Sequence, residues 1–111
     1  MAIGEIPSIY ENTTGTITAA TGNTVSNSTL VKAGSVVSIF GTITGDYAAN
    51  SVIATLPSGF IPKNQQNILV HFVLNGNTVT HYLQVLTSGG LRLRYSNTHI
   101  TSCTFGGAYV L

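Results

Sequence analysis

Two arginines, Arg92 and Arg94, are separated by a single residue in a segment whose polar and apolar side chains alternate. In a β-strand, residues at this spacing point to the same face. Their planar guanidinium groups suit bidentate contact with a carboxylate or a phosphate, or stacking on a ring. We therefore expect either a ligand-binding patch at these arginines or, as the alternative, a solvated strand face that pairs with acidic residues of a neighbouring molecule.

Aromatic and hydrogen-bonding side chains elsewhere in the chain could complete a saccharide site. Tyrosine offers a flat apolar face with a polar hydroxyl, although its commoner use is in a core or an interface. Histidine, aspartate and arginine add hydrogen-bonding groups to such a site. The saccharide contacts that we predict from the sequence are Arg92, Arg94, Tyr82, His71, Tyr47 and Asp46.

The acidic residues are too few for hydrolytic chemistry of the usual kind. Most glycoside hydrolases need two carboxyl groups facing one site, whereas the chain has three acidic residues, of which Glu5 and Glu11 fall in a predicted leader. Asp46 alone cannot fill both roles. No segment resembles the nucleophile elbow of a serine hydrolase, and the glycine pairs at 89–90 and 106–107 fit turns or bulges rather than phosphate-binding loops. We predict that the protein is not an enzyme and uses no cofactor.

The histidines and the cysteine do not form a recognisable metal-binding pattern. No Cys/His spacing supports a tetrahedral zinc site, and the preferred strand register directs His71 and His81 to opposite faces of a hairpin. A loop one residue longer would place these two opposite each other and make a site with His99 conceivable, and copies around a three-fold axis could pool equivalent histidines. Cys103 is expected to be a small buried residue. We predict no metal site within one subunit.

The composition excludes several classes of protein. Charged residues make up only 6% of the 111 residues, and the formal net charge is +1. Nucleic-acid binding depends on clustered lysine and arginine, so we exclude it. No apolar run approaches the roughly 20 residues that a membrane-spanning helix needs, and the N-terminal segment lacks the basic and apolar regions of a signal peptide. A nearly neutral surface rich in hydroxyl and amide groups fits packing against identical copies or contact with a neutral polymer such as a polysaccharide.

Short β-branched segments separated by glycine, asparagine and threonine indicate strands rather than helices. We predict an all-β fold, an antiparallel β-sandwich that is jelly-roll-like and has about eight short strands. Residues 1–14 are predicted to form an extended leader or neck, and residues 15–111 a β-sandwich head domain. The predicted strands are 15–21, 24–32, 35–44, 50–56, 68–74, 78–86, 91–95 and 99–110.

The segment 68–86 is predicted to be a hairpin with a type I′ turn at Asn75-Gly76, because both central positions of that turn need a positive φ. A two-residue loop pairs Leu74 with Asn77 and fixes which side chains share a face. The predicted apolar face comprises Ile68, Val70, Phe72, Leu74, Val79, His81, Leu83 and Val85. The opposite face comprises Leu69, His71, Val73, Thr78, Thr80, Tyr82 and Gln84.

Two further segments favour self-association. Segment 35–44 is partly apolar on both faces, which is typical of a central strand or of one covered by a neighbouring subunit. The chain ends in the apolar run 108–111, and such an end is expected to be buried, within the domain or against a partner. Because these strand faces have so few charges, we expect them to pack against identical subunits.

The segments 41–45 and 52–62 resemble the C-terminal head domains of bacteriophage tail fibre and baseplate receptor-binding proteins, with the nearest parallels in phages of Gram-positive hosts. In that group a hydrophobic strand leads into a turn of the form LP-x-G-aromatic-x-P, which Leu56 to Pro62 match. Paired strands and a glycine-marked last strand follow, as do the 68–86 hairpin and residues 106–111 here. In the turn, Gly59 permits a positive φ and Phe60 is expected to fold back into the core.

The resemblance, which covers residues 35–111, implies a β-sandwich head that assembles as a homotrimer and binds saccharides of the host cell surface without catalytic activity. It also implies a place in the virion, at the tip of the tail, with contacts to other tail or baseplate proteins through the N-terminus. The first alternative is a structural domain that trimerises or caps the tail and contacts only virion proteins. The second is an enzyme, such as a small polysaccharide depolymerase.

Overall fold

Alternating and β-branched segments form nine strands in the part of the chain that the computed structural model describes, residues 12–48, 50–95 and 99–111. All strand pairs are antiparallel, so the prediction of an all-β antiparallel fold is confirmed. The strands are β1 Asn12–Thr14, β2 Thr18–Ala19, β3 Thr24–Ala33, β4 Val36–Ala48, β5 Val52–Thr55, β6 Gln66–Leu74, β7 Asn77–Val85, β8 Gly90–Leu93 and β9 His99–Val110.

The nine strands belong to one hydrogen-bonded sheet in the order β1-β3-β4-β9-β6-β7-β8-β5-β2, curled into a half-barrel around the core. The segment 12–19 joins the two edges of this sheet, because β1 pairs with β3 at one edge and β2 pairs with β5 at the other. Asn23 adds a contact between the two ends, since its Nδ2 donates to the carbonyl oxygen of Ile53 at 3.2 Å. Residues 12–14 of the predicted leader thus form β1, whereas residues 1–11 lie outside the described part, and the division into leader and head stays a prediction.

The inner face of the sheet forms a core of apolar side chains. Every member of the apolar hairpin face predicted from the sequence is buried or partly buried there, and Cys103 is buried as expected. No polar or charged side chain is fully buried among the described residues. The largest side chains with under 2% exposure are Tyr109, Phe105, Ile43, Ile53, Leu83, Leu91, Leu93 and Ile100.

The hairpin of β6 and β7 has the predicted two-residue loop. Leu74 pairs with Asn77 and Phe72 with Val79, and the turn residues Asn75 and Gly76 have φ values of 52° and 79°. Both positive values match a type I′ turn, whose twist suits the strands that it joins. The predicted separation of the two hairpin faces is therefore confirmed.

The turn between β5 and β6 packs against one end of the core and is bonded to β3 and β9. Gly59 has a φ of +89°, and Phe60 folds back to 4% exposure as predicted. Lys32 of β3 donates to the Gly59 carbonyl oxygen at 2.9 Å and lies 4.9 Å from the centroid of the Phe60 ring. The Tyr109 hydroxyl donates to the Phe60 carbonyl oxygen at 2.7 Å, and burial raises the pKa of Tyr109 to about 12.

Segment 35–44 and the apolar run 108–111, from which self-association was predicted, are partly covered by other residues of the same chain. β4 is a central strand between β3 and β9, yet Val36 and Phe40 on its outer face are each 46% exposed. In the last residues of the chain Tyr109 is buried and Leu111 packs against the core, whereas Val110 is 52% exposed. Within the apolar run 108–111, Tyr109 is thus buried and Leu111 partly buried within the domain, whereas Ala108 and Val110 are exposed.

Candidate functional site

The outer face of the sheet, turned away from the core, has a line of apolar side chains that crosses four strands. Phe40 of β4 is paired with Gly106 of β9, Gly106 with Leu69 of β6, and Leu69 with Tyr82 of β7. We call these four residues the apolar row. Its three side chains are 46%, 49% and 54% exposed in chain order.

Gly106 allows the Phe40 ring to lie over the neighbouring strand. A Cβ atom at this glycine would lie 3.1 Å from Cδ2 of Phe40, which is closer than an ordinary van der Waals contact. The absence of a side chain at position 106 therefore leaves room for the Phe40 ring beside β9.

A line of hydrogen-bonding side chains runs parallel to the apolar row and is displaced from it by two residues on each strand. We call it the hydroxyl row: Thr42, Thr104, His71 and Thr80, which are paired in that order across β4, β9, β6 and β7. The hydroxyl oxygens of Thr42 and Thr104 are 3.0 Å apart, and Nδ1 of His71 lies 2.9 Å from the hydroxyl oxygen of Thr80. Each pair restrains its members, so the row presents polar groups in defined positions.

A cleft opens at the hydroxyl row, where β6 and β9 separate. Their pairing ends at Phe72 and Cys103, although β6 continues along β7 and β9 continues along β4. The cleft has a volume of about 230 Å³. Its walls include two members of the hydroxyl row and further hydroxyl side chains, and they comprise His71, Phe72, Val73, Thr78, Thr101, Ser102, Cys103 and Thr104.

Three of the six predicted saccharide contacts share this outer face. His71 belongs to the hydroxyl row and Tyr82 to the apolar row. Arg92 lies on β8 next to them, and its Nε donates to Oε1 of Gln84 at 2.9 Å, two residues from Tyr82 on the same face of β7.

Arg94 lies in a different environment. It follows the end of β8, is exposed, and lines an open pocket of about 520 Å³ with Asn50, His81 and Tyr95. The two arginines therefore have different neighbours in the structure. The alternation of the sequence had predicted that both lie on one face of one strand.

The remaining two predicted contacts, Asp46 and Tyr47, belong to β4. Asp46 accepts a hydrogen bond from Nδ1 of His99 at 2.9 Å, and both side chains are more than 70% exposed. The Tyr47 side chain lies outside the described residues, although its backbone pairs with Ile100. Within the described residues, Asp46 is joined to neither arginine.

The six predicted contacts do not include the β4 and β9 members of the two rows, the hairpin residues Leu69 and Thr80, or the pocket residues Asn50, His81 and Tyr95. Phe40 and Thr42 are two residues apart and therefore lie on the same face of β4. This spacing is a local signal that the outer face of the strand, as well as its inner face, has a function. No local signal reveals that β9 would align Gly106 and Thr104 between β4 and β6, because that alignment depends on strands far apart in the chain.

No group of three or more histidine, cysteine, aspartate or glutamate side chains suited to a metal is found in the described ranges 12–48, 50–95 and 99–111. Within these same ranges, the structure contains no helix long and apolar enough to cross a membrane. No protein-family model matches the chain, and a search of curated proteins finds no significant match.

Proposed function

We propose that the chain is a non-catalytic saccharide-binding head domain of a phage tail fibre or baseplate protein, and that it recognises host surface glycans through the outer face. The observation that supports this best is the apolar row beside the hydroxyl row. A sugar ring has an apolar C–H side, which stacks on aromatic side chains, and hydroxyl edges, which exchange hydrogen bonds with hydroxyl and imidazole groups. The two rows offer both kinds of contact at neighbouring positions.

The chemistry of the two rows favours an uncharged saccharide. Neither row contains a carboxylate, an ammonium or a guanidinium group, and the only titratable side chain in them besides the tyrosine is His71. The cleft between β6 and β9 adds Thr78, Thr101 and Ser102 at the end of the hydroxyl row. A sugar chain lying across the sheet would therefore place a ring on Tyr82 and Leu69 and a neighbouring hydroxyl in the cleft.

The virion role rests on the resemblance of the Leu56–Pro62 turn to phage receptor-binding heads. Assembly as a homotrimer, location at the tail tip and attachment to other tail proteins through the N-terminal residues are part of the same proposal. The low charge of the chain supports the trimer, because interface centres are depleted in charged residues. The structural alternative, a trimerising or capping domain that contacts only virion proteins, would use the same exposed apolar side chains as protein contacts.

Binding to host cell-wall polysaccharide and to a glycan array tests the proposal. We expect Tyr82→Ala to weaken binding at least tenfold, about 1.4 kcal/mol, whereas Tyr82→Phe keeps the ring and most of the affinity. Thr104→Val should weaken binding severalfold, because it removes a hydroxyl from both the row and the cleft. Ile61→Ala is the matched control, since it truncates an exposed apolar side chain outside both rows.

Light scattering on the same variants separates the proposal from its alternatives. A trimer that persists in Tyr82→Ala while glycan binding is lost supports saccharide recognition. Dissociation of the trimer in that variant would instead assign the outer face to subunit packing. A stable monomer at micromolar concentration contradicts the trimer, and release of reducing ends from cell wall contradicts the non-catalytic role.

A further inference from the structure

The pocket around Arg94 is separate from the two rows of the outer face. It lies where the chain leaves β8, has a volume of about 520 Å³, and is lined by Asn50, His81, Arg94 and Tyr95. None of the four belongs to the apolar row, to the hydroxyl row or to the cleft between β6 and β9. An inference about this pocket therefore stands independently of the saccharide proposal.

Asn50 gives the pocket a fixed wall. Its side-chain Nδ2 donates to the Tyr95 carbonyl oxygen at 2.8 Å, and its Oδ1 accepts from the Tyr95 backbone N–H at 3.3 Å. Its own backbone N–H donates to the Leu93 carbonyl oxygen at 2.6 Å. Asn50 thus takes the place of a strand partner for Leu93 and Tyr95, the residues on either side of Arg94. These hydrogen bonds hold the Arg94 backbone in position.

Aromatic packing fixes the opposite wall. The Tyr95 ring meets the buried Phe72 ring edge to face, with centroids 5.1 Å apart, and meets the His81 ring in the same way at 5.3 Å. Such edge-to-face pairs stabilise beyond the apolar area that they bury. The two rings that line the pocket are therefore anchored to the core rather than free to turn away from a ligand.

Two polar groups of this pocket have no partner among the residues that the structure describes. No hydrogen bond or ion pair engages the exposed guanidinium of Arg94 within ranges 12–48, 50–95 and 99–111. Nδ1 of His81 is buried and has no hydrogen-bond partner there. This is unusual, because buried polar atoms of native proteins are normally satisfied.

We propose that this pocket binds a carboxylate group of a ligand, with Arg94 as the principal contact. The planar guanidinium fork matches the two oxygens of a carboxylate, and its single permanent charge matches the single charge of that group. A phosphate monoester carries more negative charge than one arginine neutralises. Tyr95 supplies an apolar surface for the carbon atoms next to the carboxylate.

Titrations followed by ¹H–¹⁵N NMR of the intact chain test the pocket, with sodium glucuronate, glucose and inorganic phosphate as probes. We expect glucuronate to shift the signals of Arg94, Tyr95 and Asn50, and to bind at least tenfold more tightly than glucose or phosphate. Glucose binding as tightly as glucuronate would overturn the proposal, because the carboxylate would then contribute nothing. Phosphate binding more tightly than glucuronate would overturn the assignment to a carboxylate.

Arg94→Gln tests the principal contact, and Lys63→Gln is its control, because it removes an exposed cation that lies outside this pocket and outside both rows. We expect Arg94→Gln to weaken glucuronate binding at least tenfold and Lys63→Gln to leave it within twofold. Arg94 is exposed and has no partner in the described structure, so its substitution should not disturb folding, which the unshifted remainder of the NMR spectrum would verify. Equal losses in the two variants, or no loss in Arg94→Gln, would contradict the proposal.

Discussion

The two sides of the sheet around β7 each contain one histidine and one tyrosine, and they use them differently. On the outer side, His71 is bonded to Thr80 and Tyr82 is 54% exposed. On the inner side, Nδ1 of His81 is buried without a hydrogen-bond partner among the described residues, and the ring packs edge to face against the half-buried Tyr95. Two pairs of identical residue types thus lie in environments that differ in hydration and in hydrogen bonding.

The difference shows how each region holds its side chains in position. Outer residues are aligned by strand register, and those of the hydroxyl row are also restrained by side chain–side chain hydrogen bonds. Because their side chains lie outside the core, they contribute little to its stability. Inner residues are fixed by ring packing and by the Asn50 amide, and Nδ1 of His81 has no hydrogen-bond partner in the part of the chain that the structure describes. Surface chemistry on the outer side can therefore change at low cost, whereas the pocket wall is part of the folded core.

The largest effect is expected from truncating Tyr95, and Tyr82 is its comparison on the outer side. Tyr95→Ala removes the ring that packs on Phe72 and His81, so we expect a loss of about 3 kcal/mol in the free energy of unfolding, at the low end for aromatic truncations. Tyr82→Ala removes a mostly exposed ring and should cost less than about 1 kcal/mol. Urea unfolding followed by circular dichroism measures both, and equal losses would contradict the contrast between the two sides.

A third tyrosine, Tyr109, extends the contrast to a fully enclosed side chain. Its pKa is raised from 10 in the unfolded chain to about 12 by burial, so the folded state holds this proton more tightly. The contribution of this group to the free energy of unfolding is fully present below pH 10. It falls by about 2 kcal/mol as the pH rises from 10 towards 12. Urea unfolding between pH 8 and 12 measures this slope. Tyr109→Phe should reduce it, and an unchanged slope in that variant would rule out Tyr109 as its source.

Removing the Asn50 amide is expected to have the next largest effect. Asn50 has a φ of 72°, a conformation that costs an ordinary side chain about 1–2 kcal/mol. Asn50→Ala should therefore lose about 2 kcal/mol from this strain and the missing hydrogen bonds together. Asn50→Gly tolerates the backbone and should lose only about 1 kcal/mol, which thermal unfolding of both variants would resolve. A larger loss for glycine than for alanine would contradict the role of the positive φ.

Gln66→Ala is the matched comparison for the Asn50 amide. Gln66 makes the same two-sided contact with the Val110 backbone, donating to its carbonyl oxygen at 2.6 Å and accepting from its N–H at 2.9 Å. No positive φ is involved there, so the loss should be about 1 kcal/mol, close to that of a single net hydrogen-bonded group.

The smallest effects concern the two histidines, and they differ in sign. His81→Phe replaces an imidazole whose buried nitrogen is unpaired by an apolar ring of similar shape, so we expect stability to rise by up to about 1 kcal/mol. His71→Phe breaks the hydrogen bond to Thr80 on the exposed side and should lower stability by less than about 0.5 kcal/mol. Thermal denaturation of the two variants in parallel tests the sign, and destabilisation by His81→Phe would mean that the nitrogen is satisfied in solution.

The sequence predicts best those features that depend on neighbouring residues. The Asn75-Gly76 turn sets the hairpin register, and the register determines which side of β7 receives Tyr82 and which receives His81. The approach of Phe40 to Leu69 could not be predicted, because it needs Gly106 of β9 to lie between β4 and β6. The Asn50 contact was equally hidden, since a side-chain amide that replaces a strand partner leaves no periodic pattern in the sequence.

The segment 12–19 also has a consequence for how the domain opens. It contributes β1 to one edge of the sheet and β2 to the other, with Ile17 buried between them. Local unfolding normally spreads through contiguous cooperative units. Here the detachment of this single segment would release both edges at once, so β3 and β5, which lie near opposite ends of the sheet, should exchange their edge amide hydrogens in one concerted event.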